Sequence, residues 1–175
     1  MNKRIAILYA TTDGQTLKIC RRIAEYLQDF GYNTDLCEIS DFPYPLSQYS
    51  KVVIGASIRY GTHSKKVAAF IQNYKPELEL IDTSFFSVNL VARKPDKNRY
   101  YNNPYVIKFF KELMWTPTRK DVFAGTLDYK SYNILDRIMI KIIMKMTGGP
   151  TSSKTPIEYT DWDRVKAFAL QICQN

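Results

Sequence analysis

The run Tyr9-Ala10-Thr11-Thr12-Asp13-Gly14-Gln15-Thr16 joins a continuous apolar stretch, Ile5-Ala6-Ile7-Leu8-Tyr9, to a segment of helical periodicity. A helix N-terminus offers unpaired N–H donors and the positive end of a dipole, which suits a phosphate. The hydroxyls of Thr11, Thr12 and Thr16 add donors, and Gly14 lets the backbone approach a ligand closely. Asp13 and Gln15 complete the run, which holds no Lys or Arg. It matches neither the G-x-x-x-x-G-K-[ST] nor the G-x-G-x-x-G pattern. Hydroxyls and amides suit one phosphomonoester without metal. The same residues also begin an ordinary capped helix, and position alone leaves the two readings even.

Two more loops bear on that choice. In an open α/β sheet, ligands bind beyond the carboxyl ends of the strands, where the strand order reverses. The loops after the third and fourth apolar runs read Ser57-Ile58-Arg59-Tyr60-Gly61 and Asn89-Leu90-Val91-Ala92-Arg93. The first brings an aromatic ring able to stack on a flat ligand, and each brings one arginine and several amides. One phosphate and one planar ring shared by three loops describe flavin mononucleotide (FMN).

The elements that must hold these loops follow from periodicity. Apolar or alternating runs predict strands at 5–9, 34–39, 52–56, 84–89 and 122–127. Helical spacing predicts helices at 16–30, 64–74 and 103–115, and a last one beginning near Thr160, whose hydroxyl is placed to cap Asp163. Strands and helices in alternation make an α/β fold, a doubly wound parallel sheet. The 175 residues, 45% apolar and 24% charged, fit a single globular domain over 1–175. Three scattered cysteines, Cys20, Cys37 and Cys173, form no C-x-x-C pair. They predict a reducing compartment and no metal site, with Cys20 and Cys37 in the core. The stretch Met1-Asn2-Lys3-Arg4 and its short apolar sequel lack the marks of a signal peptide. No apolar run reaches the roughly 18 residues of a membrane span. The chain is expected in the cytosol or on a cytosolic membrane face.

One segment fits no connection. Residues 128–159 separate the fifth strand from the last helix, where a handful would do. Charge gathers around the same region: residues 91–154 hold 13 basic against 5 acidic side chains, while residues 1–90 hold 10 against 9. Residues 133–146 read as one helix of Ile, Leu and Met carrying Arg137, Lys141 and Lys145, with Lys130 just ahead. The 3.6-residue period sets those four cations within a stripe of about 80°. The helix is about 20 Å long, too short to span a roughly 30 Å hydrocarbon core, and its pattern suits the headgroup plane of an anionic membrane. Burial in the core or in a homo-oligomer seam is the competing reading.

The chain resembles a known group over nearly its full length. Ile7-Leu8-Tyr9-Ala10-Thr11-Thr12-Asp13-Gly14-Gln15-Thr16 is similar to the signature of the flavodoxin superfamily. Gly55-Ala56-Ser57-Ile58-Arg59-Tyr60-Gly61, Ser87-Val88-Asn89-Leu90-Val91-Ala92-Arg93-Lys94-Pro95, Met139-Ile140-Lys141, Met144-Lys145-Met146, Gly148-Gly149 and Tyr159-Thr160-Asp161-Trp162 resemble the flavodoxin-type, quinone-dependent protoporphyrinogen IX dehydrogenases of bacterial haem synthesis. The resemblance implies a flavodoxin-like fold, with a five-stranded sheet of order 2-1-3-4-5 and an insertion after or within strand five. It implies FMN held by 11–16, 57–61 and 87–93, and oxidation of protoporphyrinogen IX to protoporphyrin IX. Electrons would pass to menaquinone or ubiquinone at the cytoplasmic face of the cell membrane, with the protein peripheral to it.

On that reading N5 of the flavin takes hydride from a methylene bridge of the substrate, in three two-electron rounds. Arg59, Arg93, Lys94 and Arg137 are candidate receivers for the two propionates. No side chain stands out as a base; Arg59 and the sole histidine, His63, are the candidates. His63 follows the Tyr60-Gly61 turn and is expected at a solvated loop near the flavin edge. The rival readings are a flavodoxin-type electron carrier and an NAD(P)H:quinone reductase. Carriers of that type are typically acidic, unlike this chain of net charge +8. Nucleic-acid binding lacks a recognition motif.

Overall fold

The computed structural model describes residues 3–174. Met1 and Asn2, on which part of the leader reading rests, lie outside the described residues. The chain runs β1 (Arg4–Ala10), α1 (Gln15–Asp29), β2 (Asn33–Glu38), β3 (Lys51–Arg59), β4 (Thr62–His63), α2 (Lys65–Asn73), α3 (Lys75–Leu80) and β5 (Asp82–Val88). It continues through α4 (Pro104–Leu113), β6 (Arg119–Phe123), β7 (Thr126–Leu127), α5 (Ile134–Met146), β8 (Ile157–Glu158) and α6 (Trp162–Cys173). Five parallel strands stand in the order β2-β1-β3-β5-β6. This is the predicted 2-1-3-4-5 sheet of a flavodoxin-like fold. The order reverses between β1 and β3, so a crevice opens there beyond the strand ends.

Side-chain alternation builds the two layers. Ile5, Ile7, Val53, Phe86 and Val88 point to one face, where Ile19, Ile23 and Leu27 of α1 meet Val165, Phe168 and Ile172 of α6. Ala6, Leu8, Val52, Ile54 and Phe85 point to the other, against Val67 and Ile71 of α2 and Phe109 and Leu113 of α4. Gly55 breaks the run of large residues in β3 for a spatial reason. A Cβ there would lie 2.4 Å from Phe86 Cζ and 3.0 Å from Cys20 Sγ. Cys20 is fully buried, as expected, and Cys37 packs against the core from a half-buried position.

The fifth strand departs from the expected 122–127. β6 starts earlier, in the charged Arg119-Lys120-Asp121, because an edge strand can pair its charges sideways: Arg119 with Asp82 and Asp121 with Arg164. It stops at Phe123. The Ala124 carbonyl accepts the Thr160 hydroxyl at 2.7 Å, and the Gly125 carbonyl accepts the Tyr159 amide. The chain therefore peels from the sheet, and β7 pairs antiparallel with β8 instead. Thr160, spent on that bond, does not cap α6; the Asp161 carboxylate accepts the Arg164 amide.

β3 also outruns its prediction. It passes Ala56, continues to Arg59 and turns back into β4, with Arg59 opposite Thr62 and Ile58 opposite His63. His63 thus sits in a strand rather than a solvated loop, only 8% exposed. Its ring lies 4.3 Å from Phe109 and 5.7 Å from Phe85, and Nε2 is 2.9 Å from Ser87 Oγ.

Burial lowers the pKa of His63 from 6.5 to about 3. The unfolded chain takes up a proton near pH 6.5 and the folded one does not, so stability is full above that pH and falls as the pH drops toward 3. About 2 kcal/mol of stability should be lost through this residue by pH 5. Urea unfolding at pH 7 and pH 5 should show that excess loss in the wild type relative to His63→Gln. Equal losses in the two proteins would exclude it.

Candidate active site

A cavity of about 420 Å³ opens beyond the carboxyl ends of β1, β3 and β5, a size typical of small-molecule sites. The helix at its floor, like the short α3, has no side-chain cap. α2, α4, α5 and α6 are each capped by a side chain, from Ser64, Asn103, Asn133 and Asp161. α1 instead begins at Gly14, at φ 85°, with no side-chain cap. Its first-turn amides are left for another acceptor. The loop is held in shape by the Gly14 amide, which donates to Thr11 Oγ1 at 3.0 Å.

Two hydroxyls lining the same cavity, Thr16 Oγ1 and Thr126 Oγ1, are buried without a partner among the described residues. Buried hydroxyls seldom go unpaired. A ligand with several oxygens, such as a phosphate on a polyol chain, would satisfy both and meet the open amides of α1. The donor set fits the expected FMN in chemistry and in place.

The wall is the β3–β4 hairpin. Tyr60 and Gly61 form its two-residue turn at φ 49° and 77°, the doubly left-handed turn that matches strand twist. Glycine adopts this backbone freely, whereas tyrosine is strained there. The turn leaves Tyr60 60% exposed at the rim of the cavity. Beside it, Arg59 meets two carboxylates, Asp13 of the first loop at 3.0 Å and Asp136 of α5 at 2.5 Å. The guanidinium also lies 5.8 Å from the ring of Tyr60 and 5.9 Å from that of Tyr132. The Tyr60 hydroxyl donates to the second oxygen of Asp136. This bond raises the pKa of Tyr60, and burial raises that of Asp13 despite the opposing pull of Arg59.

The roof comes from residues 126–143. Tyr132, Asp136, Met139, Ile140 and Ile143 face the cavity. α5 is otherwise turned inside out. Asp136 and Met144 are its buried residues, while Ile134, Leu135, Ile138, Met139, Ile142 and Met146 are exposed, the last at 81%. Its far end is tied down by Arg93, which donates to the Leu90 carbonyl, the Thr147 carbonyl and Thr147 Oγ1.

Of the predicted site residues, the cavity gathers Thr11, Asp13, Gly14, Gln15 and Thr16 from the first loop. It also gathers Ser57, Ile58, Arg59, Tyr60 and Gly61 from the hairpin, and Val88, Asn89, Leu90 and Val91 from the β5 loop. Thr12 turns away, with Oγ1 3.3 Å from Ser57 Oγ, into a second cleft shared with His63. Ser87 and Ala92 are buried beneath the site, Ser87 as the partner of both His63 and the Asn89 amide.

Among the candidate propionate cations, Arg59 and Arg93 are committed to the roof, and Arg137 donates to the Tyr132 carbonyl. Lys130 lies in a turn ahead of α5, so the helical stripe reduces to Arg137, Lys141 and Lys145. None of these four lines the cavity. Sequence reasoning missed several lining residues, among them Lys18, Tyr105, Asp128, Thr126, Tyr132 and Asp136. Asp136 had a signal, as the sole acid in an otherwise apolar and basic helix; Thr126 and Tyr132 had none.

The comparisons with known proteins agree with this geometry. A family model described as a flavodoxin domain matches residues 6–154. The chain is 42% identical over 167 residues to an Escherichia coli K12 protein named protoporphyrinogen IX dehydrogenase [quinone], covering 95% of this chain and 92% of that one. It is 46% identical over 165 residues to a Leishmania major protein of the same name, covering 93% of this chain and 71% of that one. Among solved structures, oxidised flavodoxin 1 from Bacillus cereus superposes with a TM-score of 0.52 at 12% identity, over 98% of each chain. The chain belongs to the flavodoxin family and, within it, to the quinone-type protoporphyrinogen IX dehydrogenases.

Proposed function

We propose that this chain oxidises protoporphyrinogen IX to protoporphyrin IX with bound FMN and delivers the electrons to menaquinone or ubiquinone, from the cytoplasmic face of the cell membrane. One observation carries the reading: the cavity has unpaired phosphate-loop donors at its floor and, as its roof, an inserted helix whose outer surface is apolar and cationic. A carrier that merely docks on soluble partners has no use for such a roof.

FMN would supply the two-electron chemistry. The chain does the rest. The α1 amides and Thr16 would bind the phosphate, and residues 57–61 with 88–91 would hold the ring. Met139, Ile140 and Ile143 keep water from the reacting face, and methionine adapts to a bulky apolar ligand. Protons released by the substrate meet the carboxylates that line the cavity, Asp13, Asp128 and Asp136.

The outer face of α5 supports the membrane placement. No helix among the described residues is long and apolar enough to cross a bilayer. Ile134, Ile138 and Ile142 instead form one exposed apolar strip beside Arg137, Lys141 and Lys145. Such a helix lies in the headgroup plane, and each cation there contributes about 1 kcal/mol against anionic lipid. Electrons could then reach a lipid-dissolved quinone without the site leaving the surface.

Two experiments test this reading. Anaerobic mixing with protoporphyrinogen should yield porphyrin fluorescence only when FMN and a soluble menaquinone analogue are both present; fluorescence without FMN, or none with both, would reject it. In flotation assays the protein should rise with phosphatidylglycerol vesicles at low salt, and less at 0.5 M salt or with phosphatidylcholine. Ile138→Glu with Ile142→Glu should abolish flotation. Unaltered flotation, or a mass showing a dimer that hides α5, would assign that face to something other than lipid.

A further inference from the structure

We propose that Arg59 and Tyr60 form the receptor for a carboxylate of the bound substrate, and that Asp136 is a built-in surrogate that occupies this receptor until the substrate displaces it. The inference rests on the porphyrinogen reading above, whose substrate carries two propionates on an apolar ring.

The geometry is that of a ligand site already filled. One oxygen of Asp136 faces Arg59 Nη2 at 2.5 Å and the other accepts the Tyr60 hydroxyl. A two-point grip of guanidinium and phenol on a carboxylate fixes orientation as well as charge. The receptor lies on the cavity wall, at the left-handed turn that brings Tyr60 to the rim. The Asp136 carboxylate is 5% exposed, whereas that of Asp13 on the other side of Arg59 is 40% exposed. Burying a carboxylate is costly unless it is fully paired. Asp136 therefore depends on Arg59 and Tyr60, and a competitor that takes them expels it.

Three features favour exchange over a fixed ion pair. Asp136 sits in the first turn of a helix whose neighbouring Ile134, Leu135 and Ile138 are exposed, so the apolar packing that holds α5 lies further along, at Ile140 and Met144. The opposite end of α5 is held separately, by Arg93 through oxygens of Thr147 that lie outside the cavity. An incoming carboxylate also takes the place of one already present, so Arg59 keeps two carboxylate partners once Asp136 has moved out to solvent. The remaining candidate cations are less suitable. Arg93, Lys94 and Arg137 do not line the cavity, and Lys18, which does, is paired with Glu158.

The test compares protoporphyrin IX with its dimethyl ester, by fluorescence quenching on the FMN-loaded protein. Asp136→Asn removes the competing charge. It should tighten the diacid about tenfold and leave the ester within twofold, and Asp136→Ser provides a second neutral variant. Arg59→Met should reduce the diacid to the affinity of the ester, and adding Asp136→Asn to it should then give no gain. Tyr60→Phe should weaken the diacid several-fold and spare the ester. Equal shifts for both porphyrins, or an unchanged diacid-to-ester ratio in the Asp136 variants, would overturn the surrogate role. If neither porphyrin binds the FMN-loaded wild type, the substrate reading itself fails, an outcome distinct from a failure of Asp136 alone.

Discussion

The site depends on where the positive charge of Arg59 is spent. This one guanidinium touches the first loop through Asp13, its own hairpin through the Tyr60 ring and the inserted segment through Asp136 and Tyr132. A residue in such a position joins three pieces of chain at once. Arginine suits it because its planar fork can serve two carboxylates while its faces stack on aromatic rings. A lysine would offer a point charge and lose the geometry.

The insertion follows from the same constraint. A surface helix ordinarily buries its apolar stripe and exposes its charges, yet α5 buries an acid and exposes isoleucines. The buried acid is held by the scaffold, so the helix is anchored by polar contacts at both ends, Asp136 at one and Thr147 at the other. Its apolar surface is thereby freed to face outward. Hydrophobic burial drives the two-layer core and holds the inner side of this helix, where Met144 and Ile140 pack with Leu127, Tyr129 and Tyr132; an apolar partner outside the chain is the natural complement of its outer surface.

Local pattern made much of the scaffold legible. The continuous apolar runs of β1, β3 and β5, the helical spacing of α1, α2 and α4, and the Asn133-headed helix of the insert all lie close to where periodicity places them. The first loop stood out because Thr, Asp and Gly gather at a strand-to-helix junction, although the same residues also suit an ordinary helix start and two further loops were needed to choose between the readings. Elements whose existence depends on distant partners were not readable. The break between β6 and β7 is imposed by Thr160 and Tyr159 arriving from the far side of the insert. The charged start of β6 looks like loop until Asp82 and Arg164 stand beside it. β4 is two residues long and exists because a tight turn returns it to β3.

The amino-acid order determined the alternation of strands and helices, the hydroxyl-rich loop and the amphipathic insert, since these follow from neighbours within a few turns of the chain. Tertiary structure decided which partner each chemically capable side chain meets. Arg59 finds Asp136 across 77 residues, Arg93 finds Thr147 across 54, and His63 finds Ser87 across 24. Such pairings depend on sheet register and on the path of a long connection. Spacing along the chain carries no record of either, so the same arginine reads as a free cation in the sequence and as a filled receptor in the fold.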